Sequence, residues 1–339
     1  MKKLRILALV HEGLVPPKET GGADPAIAEW KTEHDVTTSL RGMGHDVQVL
    51  GVRSDLKVIR DAVEHWRPHI AFNLLEEFDG VAVYDQNVVA HLELLRVPYT
   101  GCNPMGLMLA RHKGVSKKIL VYHRIPAPEF VIFPVGRPIK RRKGLPFPSI
   151  VKSVSQEASL GISQASVVEE EGALRERVEF IHKHVGTDAI VEQYIRGREL
   201  YVGVIGNTRF QAFPIWELFL TELPEDRRIA TARVKWSHKY QQKHGITSGK
   251  AEDLPEGTPQ RIQNLAKRVY RCLELSGYAR LDLRLDQTGK VYVIEANPNP
   301  EIARAEDFAK SAEHAGLPYE ALLQRILNLG LRWRPDRSG

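Results

Sequence analysis

Cysteine is scarce in this chain: Cys102 and Cys272 are the only two in 339 residues, and they are far apart. Without a Cys-x-x-Cys pair, a zinc ribbon and a dithiol redox motif are excluded, and a reducing compartment is the default. Long apolar runs are missing too. None approaches the roughly 18 residues of a membrane span. The opening apolar stretch ends at His11-Glu12, too soon for a secretory signal. A soluble, cytoplasmic protein with no membrane partner is expected. Aromatics amount to 7% and are not interleaved with a basic stripe, which argues against a nucleic-acid partner. Lys+Arg 48 against Asp+Glu 42 leaves a net +6, a mild excess that suits an anionic small ligand. The one basic run, 140–143, lies between Pro138 and Pro146 and reads as a solvated loop. Several signatures are absent: Gly-x-x-x-x-Gly-Lys-[Ser/Thr], Gly-x-Gly-x-x-Gly after the first strand, Gly-x-Ser-x-Gly and His-Glu-x-x-His. His182, His238 and His244 have no metal-binding spacing.

The length allows two or three domains. Residues 4–10, 46–52 and 69–73 read as strands, alternating with helices at 25–43, 55–66 and 82–96. That alternation implies a parallel sheet with helices on both faces. Ligands then sit beyond the carboxyl ends of the strands, near His11-Glu12 and residues 73–80. A helix is expected over 104–123, capped by Asn103 with Pro104 in its first turn, and 126–148 reads as irregular. The pattern then changes to short strands at 149–152, 164–168, 188–193, 199–206 and 209–216, around a helix at 170–185. This is an antiparallel α+β region. Residues 220–257 read as a long polar loop, of the kind that serves as a lid. A helix at 258–276, a hairpin at 277–297 and a helix at 319–331 complete the chain. The fold class is α/β followed by α+β.

The hairpin carries the most information. Its first strand runs Ala279-Arg280-Leu281-Asp282-Leu283-Arg284-Leu285 and its return strand Val291-Tyr292-Val293-Ile294-Glu295-Ala296-Asn297. A two-residue turn at Thr288-Gly289 sets Asp282 opposite Glu295 and Arg280 opposite Asn297, all on one face. Leu281, Leu283, Leu285, Tyr292, Ile294 and Ala296 then form the core face. A three-residue turn would break that arrangement. Like charges opposite one another are unfavourable on a strand pair, and a divalent cation between them removes the cost. Asp, Glu and Asn offer only oxygen, which suits Mg²⁺ or Mn²⁺. The other reading has Arg280 and Arg284 pairing with the acids on a solvated face.

Glu295-Ala-Asn297-Pro-Asn-Pro after a strand carrying Arg280-x-Asp282 resembles the ATP-grasp superfamily, and more closely the D-alanine–D-alanine ligases. Four further stretches resemble the same family in order. They are Phe72-Asn73-Leu74 with Asp79-Gly80 and 94–101; Ile150-Val151-Lys152 with 157–163; Val191-Glu192-Gln193-Tyr194-Ile195; and Gly197-Arg-Glu199. The resemblance covers roughly residues 70–330. It implies an ATP-grasp fold: an N-terminal parallel-sheet domain (1–101), a central subdomain (102–196) and a C-terminal subdomain (197–339) that holds metal and catalytic residues. It also implies an ADP-forming carboxylate–amine ligase working through an acylphosphate, with ATP, two Mg²⁺ ions (Mn²⁺ as substitute) and a homodimer. By resemblance, Lys113 and Lys152 hold ATP phosphates. Glu192 is the adenine-edge acid, with the backbone of Gln193 and Ile195 beside it. Glu199 accepts from the ribose and Lys235 meets the γ-phosphate. Asp282, Glu295 and Asn297 ligate metal, Arg280 stabilises the tetrahedral intermediate, and Ser159 and Gly161 lie in the closing phosphate loop.

The substrate side departs from the family. Ala158 stands where the family has a substrate-fixing serine, and Trp236 where it has an aromatic hydroxyl. The N-terminal glutamate is Glu12 or Glu33. Glu301, Glu306 and Asp307 occupy the region of the serine that holds the second alanine's carboxylate. Acids there repel a carboxylate and suit an ammonium or a polyamine-like nucleophile. The alternatives are authentic D-alanine–D-alanine synthesis and an ATP-grasp kinase with no amine acceptor.

Overall fold

A computed structural model describes residues 3–17, 22, 24–140, 144–155, 163–220, 223, 228–231, 234 and 237–335. Three sheets organise it. The first is parallel, in the order β2-β1-β3, from β1 (Arg5–His11), β2 (Asp46–Val52) and β3 (Ile70–Asn73). A parallel bridge from Tyr99 to Ala71 extends it. Residues Ile6–Val10 of the middle strand are wholly buried, as a strand covered by helices on both faces must be.

The second sheet is antiparallel, ordered β4-β7-β5-β6, from β4 (Phe130–Phe133), β5 (Ser149–Ser153), β6 (Val167–Val168) and β7 (Ala189–Gln193). The third is ordered β11-β10-β8-β12-β13. Its members are β8 (Arg198–Ile205), β9 (Gln211–Ala212, paired with β8), β10 (Trp216–Phe219), β11 (Thr247–Lys250), β12 (Tyr278–Leu285) and β13 (Val291–Asn297). The first and third sheets share one apolar cluster, in which Leu7, Leu9 and Ala71 join Val202, Leu281 and Leu283. The second sheet has its own, built from Phe133, Val151, Leu174, Val178 and Val191.

Several elements differ from expectation. The expected helix 104–123 is two, Pro104–Arg111 and Lys113–Tyr122. His112 adopts extended backbone between them, and its ring accepts from Val115 N, capping a fresh start. The first long helix is Lys31–Gly42 rather than 25–43. Residues 130–133 form a strand instead of irregular chain, because Phe130-Val-Ile-Phe133 pairs with β7. Within 220–257, helix His238–Lys243 and β11 replace the expected loop. Residues 209–216 hold only β9 and the first residue of β10. Helix Asp307–His314 was not anticipated.

The hairpin reaches the expected register by an unexpected route. Asp286 N donates to Lys290 O and Gly289 N to Asp286 O, so the loop is three residues, Gln287–Gly289. Leu285 pairs with Val291 and Leu283 with Val293. A β-bulge then skips Ile294, which restores Asp282 opposite Glu295 and Arg280 opposite Asn297. The core face of β13 is therefore Val291, Val293 and Ala296, while Tyr292 and Ile294 are only half-buried.

Candidate active site

The hairpin end presents Arg280, Asp282, Glu295 and Asn297 together. Arg280 grips Asp282 through two parallel bonds, Nε to Oδ1 at 2.8 Å and Nη2 to Oδ2 at 3.0 Å. Its guanidinium lies 4.6 Å over the Tyr201 ring. Burial disfavours its charge, but Asp282 outweighs that and holds it protonated. Glu295 is the more open acid, and Lys113 Nζ stands 3.6 Å from its Oε2. Asn297 Oδ1 accepts from Asn299 N at 2.9 Å. Among the described residues, no three His, Cys, Asp or Glu side chains form a ready metal cage. What is present fits Mg²⁺ all the same: hard oxygen donors, few in number, leaving positions for water and phosphate.

Across the gap, three lysines converge on acids. Lys152 Nζ lies 3.1 Å and Lys117 Nζ 3.3 Å from the two carboxylate oxygens of Glu192. Lys152 and Glu192 come from neighbouring strands β5 and β7. Lys113 and Lys117 are one helical turn apart on one face. All four are buried. Burial pushes the Glu192 carboxyl up, but Lys117 and Lys152 override it and hold it below its usual range. Burial pulls Lys113 and Lys117 down, only partly offset by Glu295 and Glu192. For Lys152 the neighbouring Glu192 overcomes burial and raises it.

Glu199 lies on β8 opposite Arg284 of β12. Arg284 Nη2 donates to its Oε2 at 2.5 Å and Tyr201 OH to its Oε1 at 3.0 Å. Arg284 also holds the carbonyls of Gly197 and Arg228. A cavity of about 260 Å³ opens beside it, lined by Tyr194, Glu199, Glu217 and Arg284. Gln193 closes β7, its N–H bonded to Glu129 O. Ile195 is buried just beyond it.

The carboxyl ends of β1 and β3 open onto a cavity of about 430 Å³. Glu33, only 4% exposed, lines it, whereas Glu12 is exposed and does not. Burial, reinforced by Glu76 and Glu301, pushes Glu33 up to about 7. Glu301 also lines it and is pushed to about 7, by burial and then Glu306. Lys31 bridges Glu301 at 3.0 Å and Glu306 at 2.5 Å.

Residues 125–328 match the family model for the D-ala D-ala ligase C-terminus. The chain belongs to the D-alanine–D-alanine ligase family. A D-alanine–D-alanine ligase of Nitratidesulfovibrio vulgaris (strain DP4) is 30% identical over 310 residues, 89% of this chain and 95% of that one. An uncharacterized protein of Sinorhizobium fredii is 31% identical over 271 residues, covering 78% of this chain and 75% of its own. The crystal structure of the Bacillus anthracis D-alanine–D-alanine ligase complexed with ATP superposes with a TM-score of 0.74 at 22% identity, covering 97% and 98%. The fold is therefore ATP-grasp, and the protein is an ATP-dependent ligase of this family.

Three expected site residues of this ligase, Ser159, Gly161 and Lys235, lie outside the described residues, as do Ala158, Trp236 and 141–143. Lys117 was missed, although its spacing of four from Lys113 in one helix was visible in sequence. Also missed was the tether at the hairpin exit. Arg111 pairs with Asp85 at 2.6 Å and donates to Glu76 O, while Asn299 Nδ2 reaches the same Asp85 oxygen at 3.3 Å. No local pattern links residues so distant in sequence. No helix among the described residues is long and apolar enough to cross a membrane.

Proposed function

We propose that the protein couples a carboxylate to an amine with conversion of ATP to ADP and phosphate, by way of an acylphosphate. The observation that carries this is the facing arrangement of Lys113, Lys117 and Lys152 with the Arg280-Asp282-Glu295-Asn297 hairpin end. Transfer of a phosphoryl group needs positive charge and positioning more than covalent assistance. Lys113 and Lys152 hold the phosphates from one side, with Lys235 as the γ-phosphate lysine. Glu192, Gln193 and Ile195 border the adenine, and Glu199, steadied by Arg284 and Tyr201, takes the ribose hydroxyls. Asp282, Glu295 and Asn297 would hold Mg²⁺, which neutralises phosphate charge when bound. Arg280, fixed by Asp282 and Tyr201, directs its remaining N–H groups at the oxygen that gains charge when the amine attacks. Ser159 and Gly161 close over the phosphates.

This reading divides the chain at about residues 101 and 196, and it takes the enzyme as a homodimer. Glu33, rather than Glu12, is the N-terminal acid that meets substrate, because it alone of the two lines the cavity. Authentic D-alanine–D-alanine synthesis is disfavoured by Glu301, Glu306 and Asp307 beside Arg280, since acids there repel the carboxylate of a second alanine. The test is ADP and phosphate release from Mg²⁺-ATP with D- and L-amino acids, dipeptides and amines, singly and in pairs. ADP with equal phosphate and a defined pair supports the ligase. D-alanine sufficing alone restores the family substrate. ADP without free phosphate indicates a kinase.

A further inference from the structure

The cavity at the ends of β1 and β3 has a one-sided chemistry. Glu29, Glu33, Glu76, Glu77 and Glu301 line it, and among the described residues no lysine or arginine does. Two of these acids have local partners. Glu77 lies 3.0 Å from His11 Nε2, and Glu301 accepts from Lys31 and Thr32 through one oxygen, Oε1. Glu76 feels the charges of Arg111 and Arg280 behind the wall, but Glu33 has no cation beside it among the described residues. Glu33 is 96% buried, and its Oε2 has no hydrogen-bond partner among the described residues. The second oxygen of Glu301 is likewise unpartnered. A carboxylate withdrawn from water either keeps its proton or takes a cation. The same residues do not converge as metal ligands. The walls are otherwise apolar or amide, from Leu14, Leu74, Tyr278, Asn73, Asn299 and Ile302. Carboxylates spaced around a partly apolar space of about 430 Å³ fit separated ammonium groups joined by methylenes, and not one compact ion.

We infer that this cavity recognises a substrate with two aliphatic ammonium groups, one set against Glu33 and Glu301 and the other toward Glu76 and Glu77. The inference rests on the ligase reading only in calling the ligand a substrate. The cavity also reaches the reacting centre, since Glu301 lines both it and the smaller cavity that holds Arg280. A second ammonium distinguishes this site from one built for an amino acid with an apolar side chain. A polyamine and a dibasic amino acid share the chemistry. They differ in the carboxylate, for which the described lining of this cavity offers no lysine or arginine, its one basic side chain, His11, being taken by Glu77.

The experiment is calorimetric titration of the intact protein without ATP, which separates ligand recognition from turnover. The probes are ethylenediamine through cadaverine, spermidine, D- and L-lysine, alanine and MgCl₂, at matched ionic strength. Binding of diamines with an optimum chain length is the expected result, with alanine at least about tenfold weaker. Lysine binding as well as cadaverine assigns the dibasic amino acid; lysine binding worse assigns the polyamine. Glu33→Gln should weaken the best diamine about tenfold while leaving the affinity for an ATP analogue unchanged. Affinity independent of chain length, alanine equal to lysine, or MgCl₂ displacing the diamine stoichiometrically would overturn the inference. So would an unchanged diamine affinity in Glu33→Gln. A failed ADP assay alongside positive titrations would count against the ligase reading and leave this one standing.

Discussion

Lys117 Nζ donates to the carbonyl oxygen of Ile294 at 2.9 Å, and Ile294 is the residue that β13 bulges out of its ladder. A bulge leaves backbone groups without a strand partner, and a half-buried carbonyl needs one. The lysine supplies it while also meeting Glu192, so one side chain joins the β12–β13 hairpin to β7. Lys117→Met keeps much of the volume and removes both links. Because it strips a buried acid of one of its two cations, a loss of about 3–5 kcal/mol in unfolding free energy is expected. Weaker binding of an ATP analogue should accompany it. A urea midpoint equal to wild type would show that Lys152 alone suffices for Glu192.

Glu295→Gln keeps the shape and one oxygen donor but removes the charge. Mg²⁺-dependent ADP release should fall by about 10²-fold or more, with the melting temperature unchanged. Activity near wild type at saturating Mg²⁺ would remove Glu295 from the metal set.

Arg280→Lys keeps the charge and loses the two-pronged grip on Asp282 and the stacking on Tyr201. An ammonium cannot reproduce that fork. Product formation should drop far more than analogue binding. Equal losses in the two measurements would make Arg280 a nucleotide contact only.

Acidity around Glu33 sets a pH dependence of stability. Its carboxyl is pushed from 4.5 up to about 7 by burial and then by Glu76 and Glu301. The folded state therefore holds the proton more tightly than the unfolded chain. The resulting stabilisation is complete below pH 4.5 and is lost as pH rises through 7, on the order of 3 kcal/mol. Glu33→Gln should flatten the slope of unfolding free energy between pH 5 and pH 7.5. An unaltered slope would place the acidity elsewhere.

Gly330 lies inside the helix Tyr319–Arg332, where alanine would ordinarily stabilise by about 1 kcal/mol. Here a Cβ would stand 2.2 Å from the carbonyl oxygen of Tyr99, which is backbone and cannot swing aside. Gly330→Ala should lower the thermal midpoint, reversing the usual sign. A raised midpoint would mean that the helix slides without cost.

The parallel sheet was legible because alternating strand and helix patterns are local, and β1 is apolar from Ile6 to Val10. The faces of Arg280, Asp282, Glu295 and Asn297 were legible for a partly wrong reason. The turn is longer than expected, and the bulge at Ile294 cancels the error, so the core side of β13 was misread while the chemical side was not. Bulges are set by what a neighbouring element offers, here Lys117, and that lies 177 residues away in sequence. Glu192 shows the same limit. Its strand was clear, but that two buried lysines close on it depends on how a helix and two sheets meet. Glu33 and Glu301 were both noticed as acids, and only the fold brings them to one cavity.

The four-stranded sheet keeps its apolar contacts largely to itself. Among the described residues its links to the rest include a patch of Ile150, Tyr194 and Ile229, the close approach of Gly114 to Ile132, the backbone bond from Lys113 N to Val154 O, and the Lys117–Glu192 pair. In mechanical terms, links of this kind tie the sheet to its neighbours at separate points, where a shared core would tie it over a continuous face. The distance those links set is the one between Lys152 and Glu192 on the four-stranded sheet and Lys113 and Lys117, which stay with the hairpin through Glu295 and the Ile294 carbonyl.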